Sequence, residues 1–171
     1  GFSFPMQPGT LKALEFDRIV EAVRACAETP MGRERLSRLA PSADPQKVAQ
    51  LLAATTEVAH YVGRYGLLPL RAPAELGQML DWLAIQGRLL EGHRLLMFAG
   101  FLDSVEETRA AIRKVASECP LLDQVSASSA SFKHETTQIR DKIDPSGEVV
   151  DHASTDLKLI RERLRKQKTR L

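Results

Sequence analysis

Aromatic residues make up only 5% of this 171-residue chain, and it has two cysteines, Cys26 and Cys119. A core built from this composition has to be aliphatic. Two isolated thiols form neither a disulfide framework nor a zinc cluster, which fits a reducing, cytoplasmic setting. No stretch approaches the roughly 18 consecutive apolar residues of a membrane span, so the expectation is a soluble chain with no membrane partner. The opening GFSFPMQPGT lacks the charged start and apolar run of a signal peptide. GFSFP ahead of Met6 reads as a tag or vector remnant, and residues 1–10 as that remnant or a disordered start. No glycine is followed by lysine anywhere, which excludes a P-loop. No apolar alternation lasts long enough to build a sheet. What remains is 43% hydrophobic and 27% charged, enough to bury a core in one domain and too ordered in pattern for intrinsic disorder.

Helical periodicity fills the gap left by strands. Thr10 can cap a first helix with Leu11, Leu14, Ile19, Val23 and Cys26 at helical spacing, which puts Cys26 in the core. Thr29–Pro30 starts a short second helix carrying Leu36 and Leu39. Asp44–Pro45 starts a third, with an apolar stripe of Val48, Leu51, Leu52, Val58, Ala59 and Val62 that stops at Gly66. The segment 66–73 holds two prolines and reads as an extended surface connection. A fourth helix carries Leu76, Leu80 and Leu83, and the glycines at 87 and 92 separate it from a fifth. The fifth carries Leu95, Leu96, Ala99, Leu102, Val105, Ile112 and Val115 and ends before Pro120. SASSAS at 126–131 reads as a loop, followed by a helix with Phe132, Thr136, Ile139 and Ile143, then a turn over Asp144, Pro145, Ser146 and Gly147. The last helix starts near Ser154. Its apolar residues Leu157, Ile160, Leu164 and Leu171, with Gln167 in the missing place, make a heptad seam suited to a long partner helix. With no stop signal after Leu164, it reads as truncated inside a longer helix. The expected fold is all-α: a helical core over 11–153 and the start of a basic coiled-coil helix over 154–171.

The net charge of +2 is a cancellation. Lys158, Arg161, Arg163, Arg165, Lys166, Lys168 and Arg170 face a single acid, Glu162, giving +6 in the last fourteen residues and −4 in the preceding 157. Two readings stand side by side. One is a surface that meets nucleic-acid phosphates; the other is the solvated outer face of a paired helix.

Catalytic constellations fail on inspection. HETTQ at 134–138 has Gln138 where the zinc-protease helix needs a second histidine. His60, His93 and His152 have no partner at ligand spacing and read as polar surface. Glu106–Glu107 reads as a solvated helix face, and Asp151–His152 beside Ser154 as a helix start, because adjacent side chains do not face one another. No catalytic, cofactor or metal site is expected in these residues.

Several longer phrases point to a family. LKALEFDRIVEAV, TPMGRERL and LAPSAD near the start, GRLLEGHRLL at 87–96 and IDPSGEVVDHASTDLKLIRERLR near the end resemble, in order, the opening region of the bacterial MutS-two family. These are recombination-linked relatives of the mismatch-repair MutS ATPases. The family phrase I-D-x-x-G-E-[VIL]-x-D-x-A-S-x-x-L-x-x-I-R is met at Ile143, Asp144, Gly147, Glu148, Val149, Asp151, Ala153, Ser154, Leu157, Ile160 and Arg161. The resemblance implies the core and lever region that precedes a coiled-coil clamp. Beyond it the family has a dimerising ATPase using ATP and Mg, and usually an Smr endonuclease domain. Implied partners are branched or junction DNA, with suppression of homologous recombination, or collided ribosomes through their rRNA. Neither the ATPase motif nor nuclease sequence occurs here, so both activities are expected outside these residues.

Overall fold

The computed structural model describes residues 14–85, 90–155 and 158–160, together with Gly9, Lys12 and Glu162. It is all-α, and among the described residues β pairing is limited to one isolated antiparallel bridge, Ile143–Val149.

Helix α1 (Phe16–Ala25) begins after Glu15, which takes a left-handed conformation at φ 50° and pairs with Arg18 at 2.7 Å. Thr10 and Leu11, expected in its first turn, lie outside the described residues. Ile19, Val23 and Cys26 are exposed, so the expectation of a core cysteine is wrong. The Cys26 thiol bonds the Ala22 carbonyl, one turn back on the open side of the helix. Two helix starts follow their sequence signals. Thr29 Oγ1 accepts the Gly32 N–H at 3.0 Å for α2 (Pro30–Ser37), and the Asp44 carboxylate accepts the N–H groups of Gln46 and Lys47 for α3 (Pro45–Tyr65). Each cap satisfies amides that helix geometry leaves open and contributes about 1 kcal/mol. Gly66 at φ 84° ends α3.

The apolar stripe of α3 is not its buried edge. Leu51 and Leu52 are 55% and 63% exposed, and Val58 and Val62 are also exposed, whereas Tyr61 is 4% exposed. The segment after Gly66 has no regular secondary structure, as expected of a connection, but it is packed down rather than lying on the surface. Leu68, Pro69, Leu70, Ala72 and Pro73 are half-buried. Ser104, fully buried, accepts the Arg71 N–H at 3.0 Å and donates to the Phe101 carbonyl at 2.7 Å. A buried hydroxyl thus satisfies a backbone amide that has no sheet to join. Arg71 adds a two-pronged bond to Glu107 at 2.9 and 3.2 Å.

Helix α4 (Leu76–Leu83) buries Leu76 and Met79 and exposes Leu80 and Leu83, a rotation from the expected stripe. Helix α5 (Gly92–Arg113) is the spine: α4, α6 and α7 all pack on it. Helix α6 (Pro120–Ala127) corrects the sequence reading, because Ser126 and Ala127 are helical and the loop shrinks to 128–132. Pro120 opens a helix as readily as it bars one. Glu57 of α3 completes the start by accepting the Leu122 N–H at 2.6 Å. Helix α7 (Lys133–Lys142) buries Thr136 and leads into the turn. The largest buried cluster joins Tyr61, Ile112 and Cys119 with Leu68, Val115 and Leu122, aliphatic apart from one ring. Helix α1 packs on α2, α2 on α4, and α3 on α6. No described helix is long and apolar enough to cross a membrane.

Candidate nucleic-acid interface and its anchoring joint

The chain reaches Lys158, the first residue of the basic run, from a joint between the start of α5 and the turn after α7. After α7, Asp144 Oδ1 accepts the Ser146 N–H at 2.9 Å, the Ser146 hydroxyl at 2.5 Å and the Glu148 N–H at 3.1 Å. Backbone bonds from Asp144 to Glu148, Gly147 to Asp144 and Val150 to Lys142 close the turn, and the buried Ile143 pairs with Val149. The Ser146 hydroxyl, foremost among these donors, holds the Asp144 carboxyl below its ordinary range.

Gly147 sits at φ 86°, a conformation a side chain disfavours. It lies directly on the start of α5. A Cβ on Gly92 would fall 2.0 Å from the Gly147 carbonyl oxygen, and one on Gly147 would fall 3.0 Å from the His93 nitrogen. Two glycines far apart in sequence therefore permit backbone-to-backbone contact. Beyond the turn, Asp151–Ala153 form one 3-10 turn that packs on α7, and the His152 ring lies 3.1 Å from the Asp141 carbonyl. Ser154 is extended, and its carbonyl accepts the Lys158 N–H at 3.2 Å, the first turn of the last helix.

Of the seven predicted phosphate-contacting residues, Lys158 is described, exposed, and one turn from the joint. Arg161, Arg163, Arg165, Lys166, Lys168 and Arg170 lie outside the described residues, as do Leu157, Leu164, Gln167 and Leu171 of the seam. Ile160, the remaining seam residue, is 54% exposed.

Acidic residues organise the body. Glu106, expected on a solvated face, has a side chain only 18% exposed. It holds Arg109 at 3.1 Å, accepts the Phe132 N–H at 3.4 Å and lies 4.0 Å from Lys133, tying α5 to the start of α7. Burial pushes its carboxyl up, but bonds from Ser131 and Phe132 and the Arg109 charge outweigh this and hold it below the usual range. Glu107 is lowered by Arg71. Glu118 is lowered chiefly by the Tyr65 hydroxyl, which donates to it at 2.8 Å, and it faces His60 and Arg64 at 3.6 and 3.7 Å. Arg140 pairs with Asp103 and Arg113 with Asp123. Among the described residues no group of three metal-ligating side chains occurs, and the His134 ring lies 3.0 Å from the Gln138 amide. Sequence reasoning missed Gly92 as a packing site, Glu57 as a cap and Glu106 as a hub. Each works with a residue distant in the chain, so no local signal announced it.

These lowered carboxyls set an acid limit. A carboxyl whose folded pKa is depressed stabilises the fold above its unfolded value, and that contribution disappears as pH falls through the folded value. Melting monitored by circular dichroism is expected to stay level from neutral pH to about 5 and to fall steeply below about pH 4. A melting temperature unchanged down to about pH 3 would contradict these assignments.

No family model matches the chain. Curated relatives do. It is 32% identical over 93% of its length to Endonuclease MutS2 of Pelotomaculum thermopropionicum and 30% identical over 97% to that of Geobacillus kaustophilus. Against the protein of the same name from Brevibacillus brevis it is 29% identical over 97%. In these comparisons the chain spans 20–21% of the relative's length. With nearly all of its residues aligned to one fifth of proteins so named, and with the fold all-α, the chain belongs to the MutS-two family.

Proposed function

We propose that the chain is the helical body and lever root of a MutS-type clamp that holds branched DNA. It positions the basic helix and lends weak, sequence-independent phosphate contacts, without catalysis of its own. The observation that carries this reading is the joint: the +6 run begins at Lys158, one turn past Ser154 and eleven residues past the backbone contact between Gly92 and Gly147. A charged helix rooted on packed backbone transmits its direction to the body, and the body to it. ATP and magnesium are implied by the resemblance for the longer proteins, and the P-loop that would hold the nucleotide is assigned outside this chain, where none of the ten glycines precedes a lysine.

Phosphate contact has a measurable signature, because each neutralised phosphate changes the salt dependence of duplex binding by about −0.9 in log–log slope. Binding of the chain to a four-way DNA junction, measured by gel shift over a salt series, is expected to lose about 2–3 units of slope when Arg161, Arg165 and Lys168 become Ala. An unchanged slope removes the phosphate-contact role and leaves the solvated-face reading of the run. A ribosomal RNA stem assayed in parallel ranks the two targets.

A further inference from the structure

Helices α2 and α3 are consecutive in the chain yet do not pack against each other. Between them lies an open cleft of about 1080 Å3, floored by Met31, Leu36, Leu39 and Leu51. Met31, Leu39 and Leu51 are 50%, 41% and 55% exposed, so the floor meets solvent. One turn of helix with its side chains occupies about 420–610 Å3, from a 5.4 Å pitch and a 10–12 Å diameter. The cleft thus matches roughly two turns of one helix.

Its rim is not neutral. Glu34 is committed to Arg38 at 2.6 Å. Arg35 and Lys47, on the rim from α2 and α3, have no carboxylate within ion-pair distance among the described residues. Glu28 is the remaining acid, at the far end where α1 meets α2. The apolar floor calls for leucine-like anchors, and the two rim cations call for acids on the flank that faces them. The chain's own basic run carries the wrong sign.

We propose that the α2–α3 cleft docks a short amphipathic helix of a partner protein, with apolar residues at i, i+3, i+4 and i+7 and acidic residues along its flank. This site is separate from the basic run, stands whether or not that run meets DNA, and would recruit a second protein to the body.

The test uses the whole 171-residue chain and two fluorescent peptides of about 18 residues, long enough for several turns. Both carry the same leucine face; one has glutamate flanks and the other lysine flanks. By anisotropy at about 50 mM salt the glutamate peptide is expected to bind at least roughly tenfold tighter, with the preference shrinking at about 300 mM. Leu51→Glu should weaken it by roughly tenfold or more, and Arg35→Glu with Lys47→Glu should reverse the preference. These positions are exposed, so circular dichroism should show the variants folded. Equal binding of the two peptides, no binding up to about 1 mM, or indifference to Leu51→Glu overturns the proposal. So does a concentration-dependent dimer abolished by Leu51→Glu, which would seat a second copy there. Binding lost in a chain extended to the length of its relatives would overturn it too, by placing a helix of the same polypeptide in the cleft.

Discussion

Gly92→Ala is expected to destabilise the chain by about 3 kcal/mol, seen as a fall in melting temperature of roughly 6–12 °C. At most helix positions this substitution stabilises, because alanine gives up less backbone entropy than glycine. Here the added carbon would fall 2.0 Å from the Gly147 carbonyl oxygen, 3.0 Å from its carbonyl carbon and 3.2 Å from Ile143 Cγ2. The first two are backbone atoms in a turn fastened by Asp144, and they cannot step aside as a flexible side chain would. Either α5 shifts away from the turn or the turn opens, and both uncover Ile143. Gly100, eight residues further along α5, supplies the comparison of opposite sign. Nothing lies within 4 Å of a Cβ built there. Gly100→Ala should therefore leave stability unchanged or raise it by up to about 1 kcal/mol. Urea unfolding of the two variants beside the unaltered chain reads both signs in one experiment, and equal effects would rule out a tight joint at Gly92.

Tyr61→Ala is expected to cost about 3–5 kcal/mol, the range for emptying an aromatic site in a core. Tyr61 is 4% exposed and packs in the cluster with Ile112 and Cys119, its ring 5.4 Å from that of Tyr65. Its removal leaves a cavity where α3 meets α6 and loosens the Tyr65–Glu118 bond beside it. Leu52→Ala on the same helix should change stability by no more than about 0.5 kcal/mol, because that side chain is 63% exposed. A pattern-based reading ranks these two the other way. Comparable losses at both positions would mean that the apolar stripe of α3 is covered in solution.

That reversal marks how far the sequence was legible. Local chemistry read through: Thr29 and Asp44 cap, Gly66 stops, the segment with Pro69 and Pro73 stays free of helix, and Asp144 organises its turn. Each depends on groups within four residues, so the signal sits beside its effect. Which edge of a helix is buried depends on where its neighbours lie. Periodicity found an amphipathic face on α3 but could not know that α6 packs more than a third of a turn away from it, on Tyr61 and Glu57. The same limit explains α6 itself, whose start borrows a carboxylate from α3, 65 residues away. At the candidate interface, charge counting located the basic run, and the phrase around Asp144 and Gly147 pointed to the family. Neither could show that the turn leading toward the run packs against Gly92, because that contact brings together a helix start and a turn that are remote in the chain.

The joint also bears on the order in which the molecule assembles. Contact between Gly92 and Gly147 closes a loop of about 55 residues, a far larger search than the two- or three-residue closures that set the Thr29 and Asp44 caps. The contact joins the start of α5 to the turn after α7, so it and the packing of those two helices support each other. Helices α2 and α3 have their start signals within reach from the outset, whereas the base of the charged terminal helix waits on long-range closure. The segment that leads to Lys158 thus takes its place on the body late, after the helices on which it rests.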